Sequence, residues 1–490
     1  MLMGVDVGTT GVKAAVFDED GRLHSLAMEE YGILFPGDGR AEQDGELVWE
    51  KVRLAIRHAA ADYGRSVRAI GISVQGDATM LIDRAHRLLT KVQLGMDYRA
   101  VEQTKRLEGL FGRAALYRRT GIPPHPLCSL PKLMWFREKE PDCWARAWKA
   151  VTYAEFLLLC LGCEEAVIDR TMASRTMACS LQTGEWDAEF LKAAGISMEK
   201  LPRIVDSGTV VGKIHPVLAA ELGINPDAAL VAGGHDQVCA ALGAGLLNAG
   251  KALDSHGTAE VVSAVLDTPK LEAGLLEDGC PTYRHAVPGK YFTFGLNHCG
   301  GVIFKWFRDE IARETSFSEI MARLPAEPSG LLVIPRFGAE GGACRERGVI
   351  AGLNLGTTAP QIAKAVLEAL AFEMRRFLQR FASAGIRIEE LRCVGGGAKS
   401  PAGLQLKADV MGRPVQTLEN GEAAVSGAAM LAGIGCGSYR NAEEADAAFV
   451  RVGKTYEPSE TAGAFYTEQY QEYLELRDRL TSSKGKGTAA

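Results

Sequence analysis

The sequence has no marked excess of charge of either sign and no long apolar run. Its 490 residues include 55 Lys and Arg and 61 Asp and Glu, which give a formal net charge of −6. Charges this balanced provide no electrostatic footprint for nucleic acid or for an anionic membrane surface. No apolar run approaches the roughly 20 residues that are needed to span a bilayer. We therefore expect neither a nucleic acid nor a membrane as a partner.

Cysteine is present but forms no recognisable framework. The eleven cysteines are scattered along a chain without a signal peptide, which indicates the reducing environment of the cytoplasm. Cys160 and Cys163 have the spacing of a redox motif, yet they end an apolar run, and this favours buried thiols. His235, His256 and His298 have no metal-ligand spacing with cysteine or acidic residues, which argues against a zinc site.

The chain also lacks the Gly-x4-Gly-Lys-Ser/Thr pattern, which argues against a P-loop enzyme. Hydrophobic residues make up 47% and charged residues 24%, as is ordinary for a soluble globular protein. A chain of this length is expected to form at least two domains, each with its own core. The sequence leaves the oligomeric state open, with a homodimer as one option.

A Gly-Thr turn between two predicted strands is the main feature that is present, and it occurs once in each half. The first, Gly8-Thr9-Thr10-Gly11, joins strands at residues 2–6 and 12–17, and the second is Asp254-Ser255-His256-Gly257-Thr258-Ala259. Such turns let backbone N–H groups and hydroxyls close around phosphate oxygens. A single one would be an ordinary hairpin. Two of them predict a duplicated fold with phosphate held between the halves.

Charged residues flank the first turn. Asp6 ends the strand before it, and Lys13 follows just after it. A carboxylate in this place could hold Mg2+, usually through water, because Mg2+ keeps part of its hydration shell. The alternative is a hairpin with a turn-favouring aspartate, but the second turn favours the phosphate interpretation.

Secondary-structure signals in the first half begin with three short strands at residues 2–6, 12–17 and 23–28. Their short turns predict an antiparallel meander, which argues against a dinucleotide-binding fold despite the early glycines. The further predicted elements are a helix at 47–61 capped by Asp44, strands at 67–74 and 80–83, and a helical stretch at 100–161 that is broken at 121–126.

A candidate catalytic carboxylate lies in the middle of the chain. A strand at residues 230–232 runs into Gly233-Gly234-His235-Asp236-Gln237, where the glycines predict a turn, and a small-residue helix follows to about residue 247. An acidic residue in this place is usually a helix N-cap, and this alternative stays open. The helix dipole would keep Asp236 ionised, and phosphoryl transfer can use such a group to align a hydroxyl. The amide of Gln237 could bind a sugar hydroxyl.

A glycine-rich segment lies in the second half. A strand at 392–394 leads into Gly395-Gly396-Gly397-Ala398-Lys399-Ser400-Pro401 and a helix at 403–411. Three glycines between a strand and a helix would let a flat ligand lie on the backbone, or they form a tight turn. The small residues of a predicted helix at 423–433 favour close packing over a ligand wall, and a charged helix is predicted at 468–480.

Together, these motifs resemble the FGGY family of carbohydrate kinases, within the superfamily that also holds actin and the heat-shock chaperone ATPases. The resemblance spans about residues 2–455 and includes the segments around Asp6 and Asp236. It also includes Pro131-Lys132-Leu133-Met134-Trp135-Phe136, which is similar to the first family signature. Residues 348–353 and 365–369 are similar to the second signature. Several motifs in the same order make the resemblance specific.

The resemblance implies an α/β fold of two ribonuclease-H-like domains around a central cleft. The first domain, residues 1–247, would bind mainly the sugar, and the second, residues 248–480, mainly the nucleotide, with a disordered tail at 481–490. Asp236 then falls on the catalytic base and Asp6 on the metal-associated aspartate, and both are candidate Mg2+ ligands. The candidate substrate contacts are Gln75, Gly76, Asp77, Asp97, Arg99, Asp236 and Gln237. The candidate ATP contacts are Gly8, Thr9, Thr10, Lys13, Gly257, Thr258, Gly301, Lys305, Gly396, Gly397 and Pro401.

The identity of the sugar depends on details of these motifs. The run at 395–401 and the overall length are similar to xylulokinases. Xylulokinases usually carry Gln-Met-His-Gly where this chain has Gln75-Gly76-Asp77-Ala78, so Asp77 replaces a sugar-contacting histidine. His256 stands where a small residue or threonine is commoner, and Gln237 is more like glycerol kinases.

We therefore expect ATP- and Mg2+-dependent phosphorylation of a terminal hydroxyl of a small sugar, with D-xylulose as the leading substrate. Glycerol, L-ribulose, a gluconate and a tetritol are alternative substrates. A nucleotide-dependent sugar sensor that transfers no phosphate is a rival of another class, and the presence of Asp236 argues against it.

Overall fold

The computed structural model describes residues 1–313, 315–337 and 348–482. Contacts divide the chain into two compact units. Unit 1 contains Met1–Ala249, Ala264–Thr293 and Glu422–Arg451, and unit 2 contains Gly250–Ser263, Phe294–Gly421 and the chain from Val452 onward. Because this division reflects compactness alone, the domain boundaries at 1–247 and 248–480 stay predictions. The predicted tail at 481–490 lies, from residue 483 onward, outside the described residues.

Both strands and helices occur throughout the part of the chain that the structure describes. The strands are β1 (Leu2–Val7), β2 (Gly11–Phe17), β3 (Leu23–Glu30), β4 (Leu34–Gly37), β5 (Arg40–Gln43), β6 (Ala69–Val74), β7 (Met80–Ile82), β8 (Val92–Gln93), β9 (Lys149–Val151), β10 (Val167–Asp169), β11 (Arg203–Val205), β12 (Val210–Lys213), β13 (Ala229–His235), β14 (Gly250–His256), β15 (Glu260–Leu266), β16 (Thr282–Arg284), β17 (Tyr291–Asn297), β18 (Leu332–Ile334), β19 (Val349–Ala351), β20 (Ile388–Gly395), β21 (Val415–Leu418) and β22 (Val452–Tyr456).

The α-helices lie between groups of these strands and after the last one. They are α1 (Gly45–Ala60), α2 (Val101–Phe111), α3 (Arg113–Thr120), α4 (Ser129–Lys139), α5 (Pro141–Arg146), α6 (Tyr153–Leu161), α7 (Arg170–Arg175), α8 (Ala188–Ala194), α9 (Pro216–Leu222), α10 (Asp236–Gly243), α11 (Ala273–Glu277), α12 (Gly301–Glu310), α13 (Phe317–Ala322), α14 (Ala359–Ser383), α15 (Pro401–Met411), α16 (Ala423–Gly435), α17 (Ala442–Phe449) and α18 (Glu460–Ser482). Among the described residues, no helix combines the length and apolar character needed to cross a membrane.

Unit 1 is built on a six-stranded sheet in the order β12-β13-β6-β1-β2-β3. The pairs β1–β2 and β2–β3 are antiparallel, which confirms the predicted meander. The pairs β1–β6 and β6–β13 are parallel, so the ends of β1, β6 and β13 lie at the same edge of the sheet. This edge therefore brings together the residues that follow Asp6, Val74 and His235.

Helices cover both faces of this sheet. Met3 and Val5 of β1 share a buried cluster with Val48 and Val52 of α1, which begins after an Asp44 cap as predicted. On the other face lies α16, whose small residues pack closely, as the sequence predicts. A Cβ built on Gly4 would lie only 2.0 Å from the carbonyl oxygen of Val425, so only glycine allows this approach.

The helix that begins with Asp236 is fixed by the same kind of close packing. A Cβ on Gly243 of α10 would lie 2.0 Å from the carbonyl oxygen of Ala423, and one on Gly427 of α16 would lie 1.9 Å from that of Cys239. The two helices therefore touch backbone to backbone, and α10 has little freedom to shift.

Three predicted details of secondary structure are wrong. Gly233 and Gly234 lie inside β13 and form no turn, because β13 continues to His235. The helix after them ends at Gly243, four residues before the predicted end. The stretch predicted as helical at 100–161 contains β9, a three-residue strand that pairs with β7.

The thiols at 160 and 163 are free, and the predicted burial is complete only for Cys163. Cys163 is buried and Cys160 is half-buried. Burial raises the pKa of both thiols to about 12, so neither is reactive at neutral pH.

Unit 2 contains a parallel core of strands. The pairs β14–β20 and β20–β21 are parallel, and β22 is antiparallel to β21. The long helix α14 contributes Ala371 and Phe372 to a buried cluster with Leu406 of α15 and Tyr470 of α18. The ends of β14 and β20 thus lie side by side, next to the second Gly-Thr turn and the glycine-rich segment.

Candidate active site

The first Gly-Thr turn is held by one hydrogen bond of its own and by hydrogen bonds from two other side chains. The N–H of Gly8 donates to the carbonyl of Gly11 at 2.9 Å. The Tyr31 hydroxyl donates to the carbonyls of Gly8 and Gly11, at 2.7 and 3.0 Å, and Nε2 of Gln43 donates to that of Thr9 at 2.6 Å. These bonds fix the turn that carries Thr9 and Thr10 and shape it in advance of any ligand.

Two carboxylates stand at the edge of this sheet. Asp6 accepts a hydrogen bond from the Ser73 hydroxyl at 2.7 Å, and burial raises the pKa of Asp6. Burial, followed by the charge of Asp6, raises the pKa of Asp236 to about 7. A pKa near 7 suits a group that exchanges protons with a substrate near neutral pH.

Asp236 is the first residue of α10 and not its N-cap, which is His235. The N–H of Gln237 donates to Oδ1 of Asp236 at 2.6 Å, and the Asp236 side chain is 25% exposed. The alternative in which Asp236 only caps the helix is therefore wrong. Its carboxylate combines raised basicity with access from solvent.

His235 connects Asp236 to an aromatic side chain. Nε2 of His235 lies 3.2 Å from Oδ1 of Asp236, and Nδ1 lies 2.8 Å from the hydroxyl of Tyr283. Burial, assisted by the charge of Arg175, lowers the pKa of His235 well below its ordinary value, so the ring is neutral. Sequence reasoning missed Tyr283 and Arg175, because no local pattern links either of them to Asp236.

The segment after β6 contributes Gln75 and Asp77. Nε2 of Gln75 donates to the carbonyl of Gly8 at 3.2 Å, which joins this segment to the first turn. The carboxylate of Asp77 pairs with the guanidinium of Arg175, and both side chains are less than a tenth exposed. The Lys132 ammonium donates to the backbone carbonyl of Asp77 at 2.6 Å, and burial lowers the pKa of Lys132 to about 8.

Two buried oxygens of this region are candidates for substrate contact. Oδ1 of Asp77 and Oε1 of Gln237 have no hydrogen-bond partner within the residues that the structure describes. Buried polar oxygens in native proteins nearly always find a donor. A substrate hydroxyl is a donor of the required kind.

Asp97 and Arg99 form a buried ion cluster with Glu42. Nη2 of Arg99 lies 2.6 Å from Asp97 and 2.5 Å from Glu42. Oδ2 of Asp97 also accepts from the N–H of Ala41 at 2.8 Å, and the guanidinium lies 4.9 Å from the Trp135 ring centroid. These contacts explain both residues structurally, and their contact with a substrate stays a prediction.

Lys13 is also engaged. Its ammonium lies 2.5 Å from the carboxylate of Glu422, with both side chains about a third exposed. This pair joins β2 to the start of α16, so an approaching phosphate would compete with Glu422 for Lys13.

The predicted contacts of the second half gather in unit 2. The N–H of Gly301, at the start of α12, donates to the carbonyl of Gly257 at 2.9 Å, and that of Val302 donates to Thr258 at 3.2 Å. Lys305 lies one turn further along α12. The second Gly-Thr turn is therefore attached to a helix N-terminus, which favours anions.

His256 links this turn to the glycine-rich segment. A Cβ on Gly397 would lie 2.5 Å from Cγ of His256, so the two residues are in direct contact. Nδ1 of His256 lies 2.8 Å from Glu260, and the Lys407 ammonium pairs with both Glu260 and Asp254. Gly396 lies in the 3-10 turn Gly396–Lys399, and Pro401 begins α15. The predicted nucleotide residues of the second half are thus neighbours.

The carboxylates of unit 1 fit a magnesium ion. Asp6 and Asp236 are oxygen donors, and Asp6 is close enough for its charge to raise the pKa of Asp236. A hard cation such as Mg2+ favours carboxylate oxygens and completes its coordination with water. In the described part of the chain, no three His, Cys, Asp or Glu side chains form a metal-binding group, and binding of Mg2+ by these two carboxylates stays a prediction.

Comparison with known proteins assigns both halves to one family. Residues 1–243 match the N-terminal domain of the FGGY family of carbohydrate kinases, and residues 252–436 match its C-terminal domain. A xylulose kinase of Staphylococcus epidermidis is 27% identical over 482 residues, which cover 96% of this chain and 95% of the relative. A glycerol kinase of Dechloromonas aromatica is 31% identical over 486 residues, which cover 94% and 93%.

Solved structures agree with this assignment. A ligand-bound xylulose kinase from Lactobacillus acidophilus has a TM-score of 0.89 at 26% identity, with 99% of each chain covered. A gluconate kinase from the same organism has a TM-score of 0.88 at 26% identity, with the same coverage. The predicted α/β fold and the resemblance are confirmed. The chain belongs to the FGGY family of carbohydrate kinases and is a phosphotransferase.

Proposed function

We propose that the chain transfers the γ-phosphate of ATP to a terminal hydroxyl of a small sugar, with D-xylulose as the leading substrate and D-xylulose 5-phosphate as the product. The observation that carries this proposal is Asp236, an accessible carboxylate at the start of α10 whose pKa is raised by burial and by Asp6. The free thiols of the described residues fit the cytoplasmic location that we infer from the scattered cysteines.

Asp236 is the proposed catalytic base. It orients the sugar hydroxyl and takes its proton while the hydroxyl oxygen bonds to the γ-phosphorus. The bond from that phosphorus to the β,γ-bridging oxygen breaks, and ADP leaves. The transition state is loose, so alignment of the hydroxyl matters more than strong basicity.

Each Gly-Thr turn is proposed to contribute to phosphate binding. Thr9 and Thr10 in the first turn and Thr258 in the second carry hydroxyls that suit phosphate oxygens, and Gly257, whose N–H donates to the carbonyl of Ala259 at 2.9 Å, shapes the second turn. Asp6 and Asp236 would hold Mg2+, which when bound would neutralise charge on the phosphates. The nucleotide would lie against Gly301, Gly396 and Gly397, which lie next to His256, and against Lys305 of α12 and Pro401 of α15.

The substrate class is supported by Asp77 and Gln237. Their partnerless oxygens are acceptors, which suits a neutral sugar or polyol that brings hydroxyl donors. A carboxylate substrate such as gluconate would face the negative charge of Asp77 at the same place, although Arg175 offsets part of that charge. Neutral acceptors are therefore better candidates than acidic ones.

D-xylulose stands first because relatives named xylulose kinase match almost the full chain. Glycerol is the second candidate, since a glycerol kinase is 31% identical to the chain and Gln237 follows the base as in glycerol kinases. The replacement of the sugar-contacting histidine by Asp77 keeps this alternative open.

A substrate panel tests the assignment of the sugar. D-xylulose, L-ribulose, glycerol, gluconate and a tetritol would be compared by kcat/KM with ATP, and the products identified by mass spectrometry. We expect D-xylulose to have the highest kcat/KM and to yield a monophosphate. A higher value for another acceptor would replace D-xylulose, and sugar binding without any phosphorylated product would favour a sensor.

Asp236→Asn tests the base. The amide cannot take a proton, so we expect a loss of kcat of at least the roughly 100-fold typical of a general base. ADP release would be measured with and without sugar, and circular dichroism would verify the fold. Sugar-dependent ADP release near the wild-type rate would show that another group is the base.

A further inference from the structure

We propose that His235 and Tyr283 are positioning residues, which hold Oδ1 of Asp236 and leave Oδ2 to accept the proton of the substrate hydroxyl. This inference rests on the proposed function, in which Asp236 is the base. It concerns a row of three side chains within unit 1, running from the hydroxyl of Tyr283 through the ring of His235 to Asp236.

Two nitrogen atoms lie against Oδ1 of Asp236. The N–H of Gln237 donates a hydrogen bond to it at 2.6 Å, and Nε2 of His235 lies 3.2 Å away. These two contacts restrict the rotation of the carboxylate about its Cβ–Cγ bond. The roles of the two oxygens therefore differ: Oδ1 is the anchored oxygen and Oδ2 the reacting oxygen.

The chemistry of Tyr283 and Asp236 determines which atoms donate and which accept protons along this row. Burial raises the pKa of Tyr283 well above its ordinary value, so its hydroxyl keeps the proton and can donate it to Nδ1 of His235. A neutral imidazole that accepts at Nδ1 carries its proton on Nε2, the nitrogen that lies 3.2 Å from Oδ1 of Asp236. The reverse tautomer would set a bare nitrogen lone pair against the ionised carboxylate. Tyr283 thus selects the tautomer that supports the base.

Both supporting side chains are themselves held in place. The N–H of His235 donates to the Thr171 hydroxyl at 2.8 Å. The Tyr283 ring is fully buried, lies edge-on to Phe292 at 5.5 Å, and has the Arg175 guanidinium 5.5 Å from its centroid. A side chain locked by packing can position its neighbour to within a fraction of an ångström.

Gly76 makes room for the row. A Cβ on Gly76 would lie 2.6 Å from Nε2 and 2.9 Å from Cδ2 of His235, closer than any real side chain can approach. The ring cannot withdraw, because Nδ1 is bound to Tyr283. Glycine at 76 is thus explained by the space that the imidazole needs, apart from any substrate contact.

Three variants test the proposal: His235→Leu, His235→Gln and Tyr283→Phe. Leucine removes the Nε2–H group that lies next to Oδ1 of Asp236. We expect kcat to fall by roughly 10- to 100-fold with little change in KM for sugar or ATP, because the base is then less well aligned. Glutamine can place an N–H where Nε2 is, so His235→Gln should recover part of the loss. Tyr283→Phe leaves the His235 ring in place but removes the hydroxyl that selects its tautomer. The kcat of this variant should lie between those of wild type and His235→Leu.

The readouts are kcat and both KM values, with D-xylulose and glycerol as acceptors and ADP release as the signal. A His235→Leu enzyme with wild-type kcat, or one impaired only in KM, would overturn the proposal. A folded His235→Gln enzyme as slow as His235→Leu would also overturn it. If His235→Leu fails to fold, Tyr283→Phe decides, and wild-type kcat in that variant overturns the proposal.

Asp236→Asn distinguishes failure of the positioning role of His235 and Tyr283 from failure of the base role of Asp236. An inactive Asp236→Asn enzyme together with wild-type kcat in His235→Leu and Tyr283→Phe would refute the positioning role alone. An active Asp236→Asn enzyme would refute the assignment of the base and, with it, the reason for the row.

Discussion

Asp77 adopts a left-handed backbone conformation, with φ at +63°. Aspartate tolerates this region better than most residues, and such conformations persist where surrounding contacts enforce them. Here the enforcing contacts are the hydrogen bond from Lys132 to its carbonyl and the ion pair with Arg175. The residue is therefore held at both its backbone and its side chain.

Asp77→Asn removes the negative charge beside a buried guanidinium. Breaking a buried ion pair by removing one partner typically costs about 3 to 5 kcal/mol of the free energy of unfolding. We expect a loss of that order in urea unfolding. As a control, Glu165→Gln breaks the exposed pair with Arg203, in which both side chains are 57% exposed, and should cost less than about 1 kcal/mol. Equal losses in the two variants would mean that burial does not govern the Asp77 pair.

Glu155 makes stability depend on pH. Its carboxylate accepts from the N–H of Thr152 at 3.0 Å, and burial raises its pKa from 4.5 to about 7. Below about pH 4.5 the group is neutral in both states. As pH rises from there to about 7 the unfolded chain ionises first, so stability falls by roughly 3 kcal/mol and then stays level.

Glu155→Gln keeps the shape of the group and cannot ionise. We expect its free energy of unfolding, relative to wild type, to rise by roughly 3 kcal/mol between pH 4.5 and pH 8. Urea unfolding over this range is the measurement, and the exposed neighbour Glu164→Gln should follow the wild type. A constant difference between Glu155→Gln and wild type would contradict the buried-acid explanation.

At the scale of elements, the contact of α16 with the sheet depends on glycine. Gly4→Ala would place a methyl group 2.0 Å from the carbonyl oxygen of Val425, and α16 would have to move away. We expect a loss of at least the 1 to 3 kcal/mol typical of overpacking, measured by urea unfolding. Gly109→Ala in α2 is the control, because a Cβ there meets no atom within 4 Å, and it should stabilise by about 1 kcal/mol. A Gly4→Ala protein as stable as wild type would show that the contact between β1 and α16 leaves room for a methyl group.

Most elements could be predicted because their apolar spacing is strong, as in the meander of β1, β2 and β3 and in α1. The errors have local physical causes. Gly233 looked like a turn residue, but a Cβ there would lie 1.7 Å from the carbonyl oxygen of Ile72, so this glycine serves close strand packing. The strand β9 has only three residues and carries no periodic signal.

Among the site residues too, only those with a local sequence signal could be predicted. Asp6 and Asp236 could be picked out because each stands at the end of a strand within a glycine-containing motif. Tyr283 lies 48 residues from His235 along the chain, and Lys407 lies 147 residues from Glu260, so each pair meets only through the tertiary fold. A single sequence carries no local trace of such pairs.

At the scale of the whole molecule, the resemblance divides the work between a sugar-binding half and a nucleotide-binding half. Gly397→Ala would press a methyl group against the His256 ring in unit 2. The methyl group would displace the glycine-rich segment on which the nucleotide is proposed to lie. If the packing cost of about 1 to 3 kcal/mol falls on ATP binding, KM for ATP should rise roughly 5- to 150-fold, while KM for the sugar stays unchanged. Steady-state kinetics would measure both, with Gly463→Ala in α18 as the control. An effect confined to the sugar KM would contradict the division.

The place of α16 in the chain has a consequence for synthesis. This helix covers the sheet of β1 and β6, yet about 400 residues separate it from β1. At about 5 to 20 residues per second, a ribosome needs roughly 20 to 80 seconds to travel that distance. Until α16 has been synthesised, the face of this sheet that contains Gly4 and Gly71 lacks the helix that covers it. The sheet of unit 1 can therefore complete its packing only after α16 has left the ribosome.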